Sequence, residues 1–225
     1  MRTVVFDLDG TLADTGADLI AAANACFEGL GHGAVLDPVA DKATAFRGGR
    51  AMLALGFGRV NGGPSGAEAE AAIEENYPVL LDSYAANLNH HTRLYPGVTE
   101  ALETLLAGGY RTAICTNKPE ALAQELIARL GISGLFGALV GADTLPVRKP
   151  DPRPYREAVA RAGGTVGASV LIGDTVTDRE CARAAGVACA LVTFGPEGRA
   201  VARLRPDALL DGYDRLPGLV ARLIG

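Results

Sequence analysis

The sequence predicts an α/β fold: a doubly wound parallel sheet with a small helical unit inserted after its first strand. Three observations point there. Short β-branched apolar runs alternate with helical stretches through the C-terminal half, a pattern that implies right-handed crossovers and parallel pairing. Between the first strand and about His91, helical periodicity broken by glycines replaces any alternating strand signal. The chain has 225 residues, 48% hydrophobic and 21% charged, which exceeds one ordinary domain by about half and excludes a disordered, collagenous or coiled-coil protein. The expected boundaries are 1–14 and 92–225 for the sheet core and 15–91 for the helical insert.

Thr3 to Phe6 is a short apolar run ending in Asp7, the pattern of a strand buried on both faces. After the loop Asp7-Leu8-Asp9-Gly10-Thr11, a helix stripe of Leu19, Ala23, Cys26, Phe27 and Leu30 begins behind a Thr15/Asp18 capping box and stops at Gly31. Gly48-Gly49 and Asn61 to Gly66 break the rest of the insert. Pro96-Gly97 marks the return to the core, followed by a helix bearing Val98, Ala101, Leu102, Leu105 and Leu106. Strands are expected at Arg111 to Cys115, Ala138 to Val140, Val170 to Ile172 and Ala188 to Val192. Helices at Pro119 to Leu130 and Pro154 to Ala162 separate them; in the first, Pro119 takes the first helical position, Leu122, Leu126 and Leu130 form the stripe, and Gly131 ends it. The whole is Rossmann-like.

A net charge of -5 argues against a general nucleic-acid or anionic-membrane binder. Cys26, Cys115, Cys181 and Cys189 never approach CxxC spacing and sit among aliphatic residues, as buried free thiols do in a reducing cytosol. Two Asp within the first nine residues exclude a signal peptide, and no uncharged run reaches membrane-spanning length. The expectation is a soluble cytoplasmic protein, monomer or homodimer, with a small-molecule partner.

In doubly wound sheets, ligands bind beyond the carboxyl ends of the strands. There the sequence places Asp7 and Asp9, then Thr116-Asn117-Lys118, then Gly173-Asp174 with Asp178, and Lys149-Pro150 lies in a loop able to reach the same edge. Several carboxylates, one or two lysines and a hydroxyl from four separate segments suit magnesium-assisted phosphoryl transfer. Mg²⁺ takes one or two carboxylates plus substrate phosphate, a role for Asp7 and Asp174. An Asp that attacks phosphorus divides a slow hydrolysis into two easier steps, and Asp9 is placed to protonate the leaving alkoxide and later activate water. Lys149, Thr116 and the amides near Asn117 supply fixed donors for the phosphoryl oxygens.

Taken together, DLDGT at Asp7 to Thr11, CTN around Thr116, KP at Lys149 and GDTVTD from Gly173 to Asp178 resemble the four ordered motifs of the haloacid dehalogenase superfamily over nearly the full length. The resemblance implies Asp7 as nucleophile and Mg²⁺ ligand, Asp9 as general acid/base and backbone ligand, and Thr116 and Lys149 as phosphate holders. It further implies Asp174 as Mg²⁺ ligand, Asp178 as ligand or neighbour of the ligands, and the insert as a cap. DGTLADTGADL, TNKP, KPDPRPY and LYPGV are most similar to the phosphoglycolate phosphatase group, although Gly48-Gly49 followed by Arg50 departs from that group's usual cap loop. Phe46-Arg47-Gly48-Gly49-Arg50 is the candidate specificity loop, since paired glycines admit a ligand to the backbone and arginines fork onto a carboxylate.

Competing expectations are a hexose-phosphate mutase, another sugar-phosphate, nucleotide or pyrophosphate phosphatase, and a phosphate-sensing interaction protein. Asp9 argues against a dehalogenase and a phosphonate hydrolase, and with the insert against a phosphorylated receiver domain. For individual residues the blander expectations are that Lys118 decorates a helix start and that Asp178 is a solvated first-turn acid in a box with Thr177 and Glu180. Likewise His90 and His91 point apart in a solvated turn with no third ligand near. Gly56-Phe57-Gly58 with Asn61 follows no strand and lacks the third glycine of a dinucleotide fingerprint.

Overall fold

A computed structural model describes residues 1–60 and 62–225, so Asn61, where a break was expected, lies outside the described residues. The chain divides into two compact units, Met1–Asp14 with Leu94–Gly225, and Thr15–Arg93. In the first unit, strands β1 (Thr3–Phe6), β2 (Arg111–Cys115), β3 (Ala138–Val140), β4 (Ser169–Gly173), β5 (Ala188–Val192) and β6 (Ala208–Leu210) form one sheet in the order 3-2-1-4-5-6. Every neighbouring pair is parallel. Strand β6 was not expected from the sequence, because three apolar residues directly after Pro206-Asp207 carry no periodicity to read.

Helices α1 (Gly16–Gly29), α2 (Lys42–Ala45), α3 (Gly49–Arg59) and α4 (Ala67–Ala86) build the second unit. Helices α5 (Val98–Ala107), α6 (Glu120–Arg129), α7 (Pro152–Arg161), α8 (Val176–Ala185) and α9 (Leu216–Ile224) belong to the first. All four residues of β1 are buried, as a central strand covered on both faces requires. Val5, Ala113, Cys115, Leu171 and Leu191 meet Tyr155, Ala158 and Val159 of α7 and Cys181, Ala182 and Ala185 of α8 in one apolar cluster. Outside this cluster, α5 packs on β2 and α9 on β4. The register then decides where chemistry emerges. Phe6 lies opposite both Ile114 and Ile172, so β1, β2 and β4 end together and deliver Asp7, Thr116 and Asp174 to one edge.

Several local expectations are corrected. Pro119 caps α6 from outside, and its buried face is Ala123, Leu126 and Ile127, because the helix is rotated toward the core by one residue. In α1, Leu30 is exposed and Ile20 takes a core place in its stead. The Thr15/Asp18 capping box does not form. Asp18 accepts instead from the backbone amides of His91 and Thr92 and from the Thr92 hydroxyl, partners 73 and 74 residues away that no local pattern announces.

The core of the helical unit is an edge-to-face pair, Phe27 on α1 and Phe57 on α3, with centroids 5.2 Å apart. Gly56 lets these helices approach: a Cβ there would lie 2.1 Å from the Phe27 ring. Arg59 forks onto Asp41 at 2.5 and 2.7 Å, tying the end of α3 to the start of α2. Among the described residues, no helix is long and apolar enough to cross a membrane. Gly56→Ala is expected to lower stability by about 1–3 kcal/mol, the usual overpacking cost. In denaturant unfolding, Phe27→Leu in the same chain should recover part of that loss; an additive double variant would show that the ring is not the obstacle.

Candidate active site

The loop after β1 is wound tightly around one carbonyl. Leu8 C=O accepts from the amides of Thr11 at 3.4 Å, Leu12 at 3.0 Å and Ala13 at 3.1 Å, and Gly10 supplies the positive φ of 82° that this turn needs. Asp7 N–H still donates to Ile172 C=O at 2.9 Å, so Asp7 is held by the sheet itself. Its Oδ1 accepts from Leu8 N–H at 2.8 Å and lies 3.0 Å from Lys149 Nζ. The lysine also donates to Asp178 Oδ1 at 2.7 Å. Lys149 is thus a buried cation clamped between two carboxylates.

Asp178 is fully buried, which overturns the solvated alternative. Its box partner is Thr175, not Thr177. Oδ2 accepts from the amides of Asp174 and Thr175 and from the Thr175 hydroxyl, at 3.0–3.2 Å. Asp178 thus anchors Lys149 through Oδ1 and the Gly173-Asp174-Thr175 turn through Oδ2, and Oδ1, with a single donor among the described residues, keeps a lone pair. A Cβ on Gly173 would fall 2.4 Å from Asp178, so only glycine allows the side chain to tuck under the turn.

Asp174 differs. Thr11 donates to its Oδ1 at 3.1 Å, while Oδ2 is buried without a hydrogen-bond partner among the described residues. Thr11 is in turn fixed by the Tyr213 hydroxyl, which donates to its carbonyl at 2.7 Å from the C-terminal part of the chain. Oxygens of Asp7, Asp174 and Asp178 lie within 4.8 Å of one another, a spacing compatible with a shared cation. Three carboxylates face one lysine, leaving two negative charges in a buried place. Burial, opposed by Lys149 and reinforced by Asp178 and Asp9, pushes Asp7 up to about 6. Burial and the charges of Asp178 and Asp7 hold Asp174 well above the ordinary carboxylate range. Burial also works against the Lys149 charge, but Asp178 and Asp7 outweigh it and keep the ammonium protonated. An orphaned oxygen and surplus negative charge fit a divalent, oxygen-seeking cation.

At the strand β2 end, Thr116 is buried and its Oγ1 accepts the Lys118 amide at 3.2 Å, which leaves the hydroxyl proton available. The Asn117 side-chain amide donates to the Lys149 carbonyl at 2.9 Å, which secures the lysine loop. Lys118 is the residue the sequence undervalued: it is buried and its Nζ sits 2.9 Å from both oxygens of Asp9. The available signal was its place three residues past a strand end at the edge where acids gather.

Once this edge is assembled, comparison with known proteins decides the family. The model of the haloacid dehalogenase-like hydrolases matches residues 4–192. This chain belongs to that family. A phosphoglycolate phosphatase of Mesorhizobium japonicum is 37% identical over 222 residues, spanning 98% of this chain and 96% of the relative. One from Caulobacter vibrioides is 38% identical over 217 residues, with 96% and 89% covered. Among solved structures, a protein from Haemophilus somnus 129pt described as a predicted phosphoglycolate phosphatase is similar with a TM-score of 0.82 at 26% identity, covering 97% of each chain. This member of the haloacid dehalogenase-like hydrolases is a phosphatase.

Within the helical unit, the two arginines of the expected specificity loop part ways. Arg50 forks onto Glu74 at 2.5 and 2.8 Å and stacks 3.8 Å over the Tyr77 ring, so it is committed inside the unit. Arg47 is exposed, beside Gly48 at φ 101° and Gly49 at the start of α3. A carboxylate must lose its proton to ligate a cation. Asp7, raised from 3.8 to about 6, keeps its proton in the folded state where the unfolded chain has released it. Its contribution to metal-free stability is therefore present below pH 3.8 and lost as pH rises through about 6. Added Mg²⁺ should accordingly raise the melting temperature more at pH 7.5 than at pH 5, by mass action on the folded state. Asp174→Ala should abolish that shift; a shift that survives would place the cation elsewhere.

Proposed function

We propose that this phosphatase hydrolyses a small carboxylated phosphomonoester of the 2-phosphoglycolate kind, through phosphorylation of Asp7 and with Mg²⁺ as cofactor. Its strongest support is the convergence of Asp7, Lys149 and Asp174 at one sheet edge, in a chain matched along nearly its whole length by phosphoglycolate phosphatases. An Asp7 oxygen attacks phosphorus, the ester oxygen leaves, and Asp9 hands it a proton. Asp9 then takes a proton from water, which attacks the phosphorus of phospho-Asp7, releases phosphate and restores the carboxylate. Lys118 aims Asp9 through two equal contacts. Lys149 and the Thr116 hydroxyl hold phosphoryl oxygens in place.

Asp7, Asp174 and the main-chain carbonyl of Asp9 would hold Mg²⁺, which when bound offsets the charge of the phosphoryl group. Asp178 supports this set by fixing Lys149 and the Asp174 turn. In the helical unit, Arg47 is the residue we assign to the substrate carboxylate, with Gly48 leaving the neighbouring backbone open, while Gly49 packs closely against Tyr77 and Leu80. Four buried, unbridged cysteines support a cytoplasmic setting.

Asp7→Asn should abolish turnover of 2-phosphoglycolate in a phosphate-release assay while the chain still folds. Asp9→Asn should cost about 10²–10⁴-fold, with the larger loss on alkyl than on aryl phosphates, because an alkoxide needs the proton more. Substantial activity in the Asp7 variant would sink the covalent route. Release of free phosphate, rather than isomerised sugar phosphate, separates a hydrolase from a mutase.

For the carboxylate contact, Arg47→Ala should raise KM for 2-phosphoglycolate by an amount worth about 1.5–3 kcal/mol, the usual value of a hydrogen bond to a charged group. An aryl phosphate should be nearly unaffected. Equal effects on both substrates would remove Arg47 from recognition and favour a substrate without a carboxylate.

A further inference from the structure

The segment that closes the helical unit carries a second cluster of metal-binding side chains, made of residues the phosphatase chemistry does not use. His90 Nδ1 and His91 Nε2 lie 3.1 Å apart, with the rings edge to face at a centroid distance of 4.5 Å. The two histidines therefore turn toward each other, against the expectation that neighbours in sequence point apart. A third group is present as well. One ligand atom each from Asp18, His90 and His91 falls within 4.8 Å of the others. Both histidines are exposed, which gives an ion a path in, while Asp18 is buried beneath them.

We propose that Asp18, His90 and His91 form a cation site distinct from the sheet edge, taking a first-row divalent transition metal such as Zn²⁺, with water completing the shell. The donor set decides the class. Imidazole nitrogens suit Zn²⁺, Cu²⁺ and Ni²⁺, whereas Mg²⁺ prefers all-oxygen surroundings. With metal–nitrogen bonds of about 2.0–2.1 Å, two nitrogens 3.1 Å apart subtend about 100° at an ion between them, an angle both tetrahedral and tetragonal ions accept. The ring that donates in the present contact shifts its proton to its other nitrogen, so each offers a lone pair and no net proton is released.

Asp18 is held ready for the third position. Its Oδ2 is taken by the amide and hydroxyl of Thr92 at 2.9 and 2.7 Å, but among the described residues Oδ1 accepts only the His91 amide, at 2.8 Å, and keeps a lone pair. Arg93 donates to the Thr92 carbonyl at 2.6 Å and fixes the same segment from the backbone side. A bound ion would join the first turn of α1 to the last residues of the helical unit, closing a long chain loop. That makes it a clip at the two ends of one unit, with the stability gain of any ligand that binds only the folded chain.

The test is calorimetric titration of the metal-stripped full chain with Zn²⁺, with excess Mg²⁺ present to occupy the sheet-edge cluster. Wild type is expected to bind one Zn²⁺ and gain melting temperature. His90→Ala with His91→Ala should lose both effects while keeping basal phosphatase activity, and Asp18→Asn should weaken binding about tenfold or more. If Asp18→Asn fails to fold, the exposed His91→Ala serves alone. Cu²⁺ electron paramagnetic resonance should show coupling to two imidazole nitrogens, lost in the histidine variants. Zn²⁺ binding unchanged in the double variant, or no tighter than to free imidazole, would overturn the site. So would binding that disappears in Asp174→Ala and survives in the histidine variants.

Discussion

A lysine ammonium shut between two carboxylates organises the sheet edge where the acids gather. Lys149 lies 3.0 Å from Asp7 and 2.7 Å from Asp178; the lysine and Asp178 are shut away from bulk water and Asp7 is largely so. Such a pair is not retained for stability, since desolvation offsets much of the Coulomb attraction, but removing one partner strands a buried charge at a cost of about 3–5 kcal/mol. Neighbouring features can be read as ways of keeping that lysine in place. Asn117 holds its carbonyl, the Thr175 capping box holds Asp178, and the sheet ladder holds Asp7.

The same clamp leaves the edge electrically incomplete. One lysine cannot balance three carboxylates, so Asp7 and Asp174 sit at raised pKa, and Asp174 keeps an oxygen without a partner. Buried polar groups are almost always satisfied, and exceptions concentrate where a ligand belongs. Asp9 stands apart from this shortage because Lys118 neutralises it directly. Two carboxylates two residues apart in sequence thus meet different environments. Asp7 shares its lysine with Asp178, whereas Asp9 has a counter-ion to itself.

Support for the edge extends far along the chain. Tyr213, close to the C-terminus, reaches Thr11 next to the first strand, and Thr11 in turn orients Asp174. Phe194 bridges Tyr95 and Tyr213 by ring contacts of 4.9 and 5.5 Å, so an aromatic row backs the loop that carries Asp9 and Thr11. Gly195 lies close to the Gly10 carbonyl and Asp174, where a side chain would collide at 2.9 Å. These residues make no contact a sequence pattern could forecast.

Periodic and punctuated features were legible in the sequence. Alternating strands and helices set the parallel sheet, and acids and lysines next to strand ends marked the edge where they gather, because a doubly wound sheet brings those ends together whatever the details. Side-chain partners were not legible, because long-range packing selects them. Whether Lys118 is decoration or the counter-ion of Asp9, whether Asp178 meets water or Lys149, and whether Arg50 is free or locked to Glu74 and Tyr77 depend on side chains 24 to 109 residues apart. Asp18 shows the limit most plainly. Its spacing from Thr15 matches a helix cap, yet three donors from residues 91 and 92 outbid one local amide, and no local spacing encodes a competition settled by long-range packing.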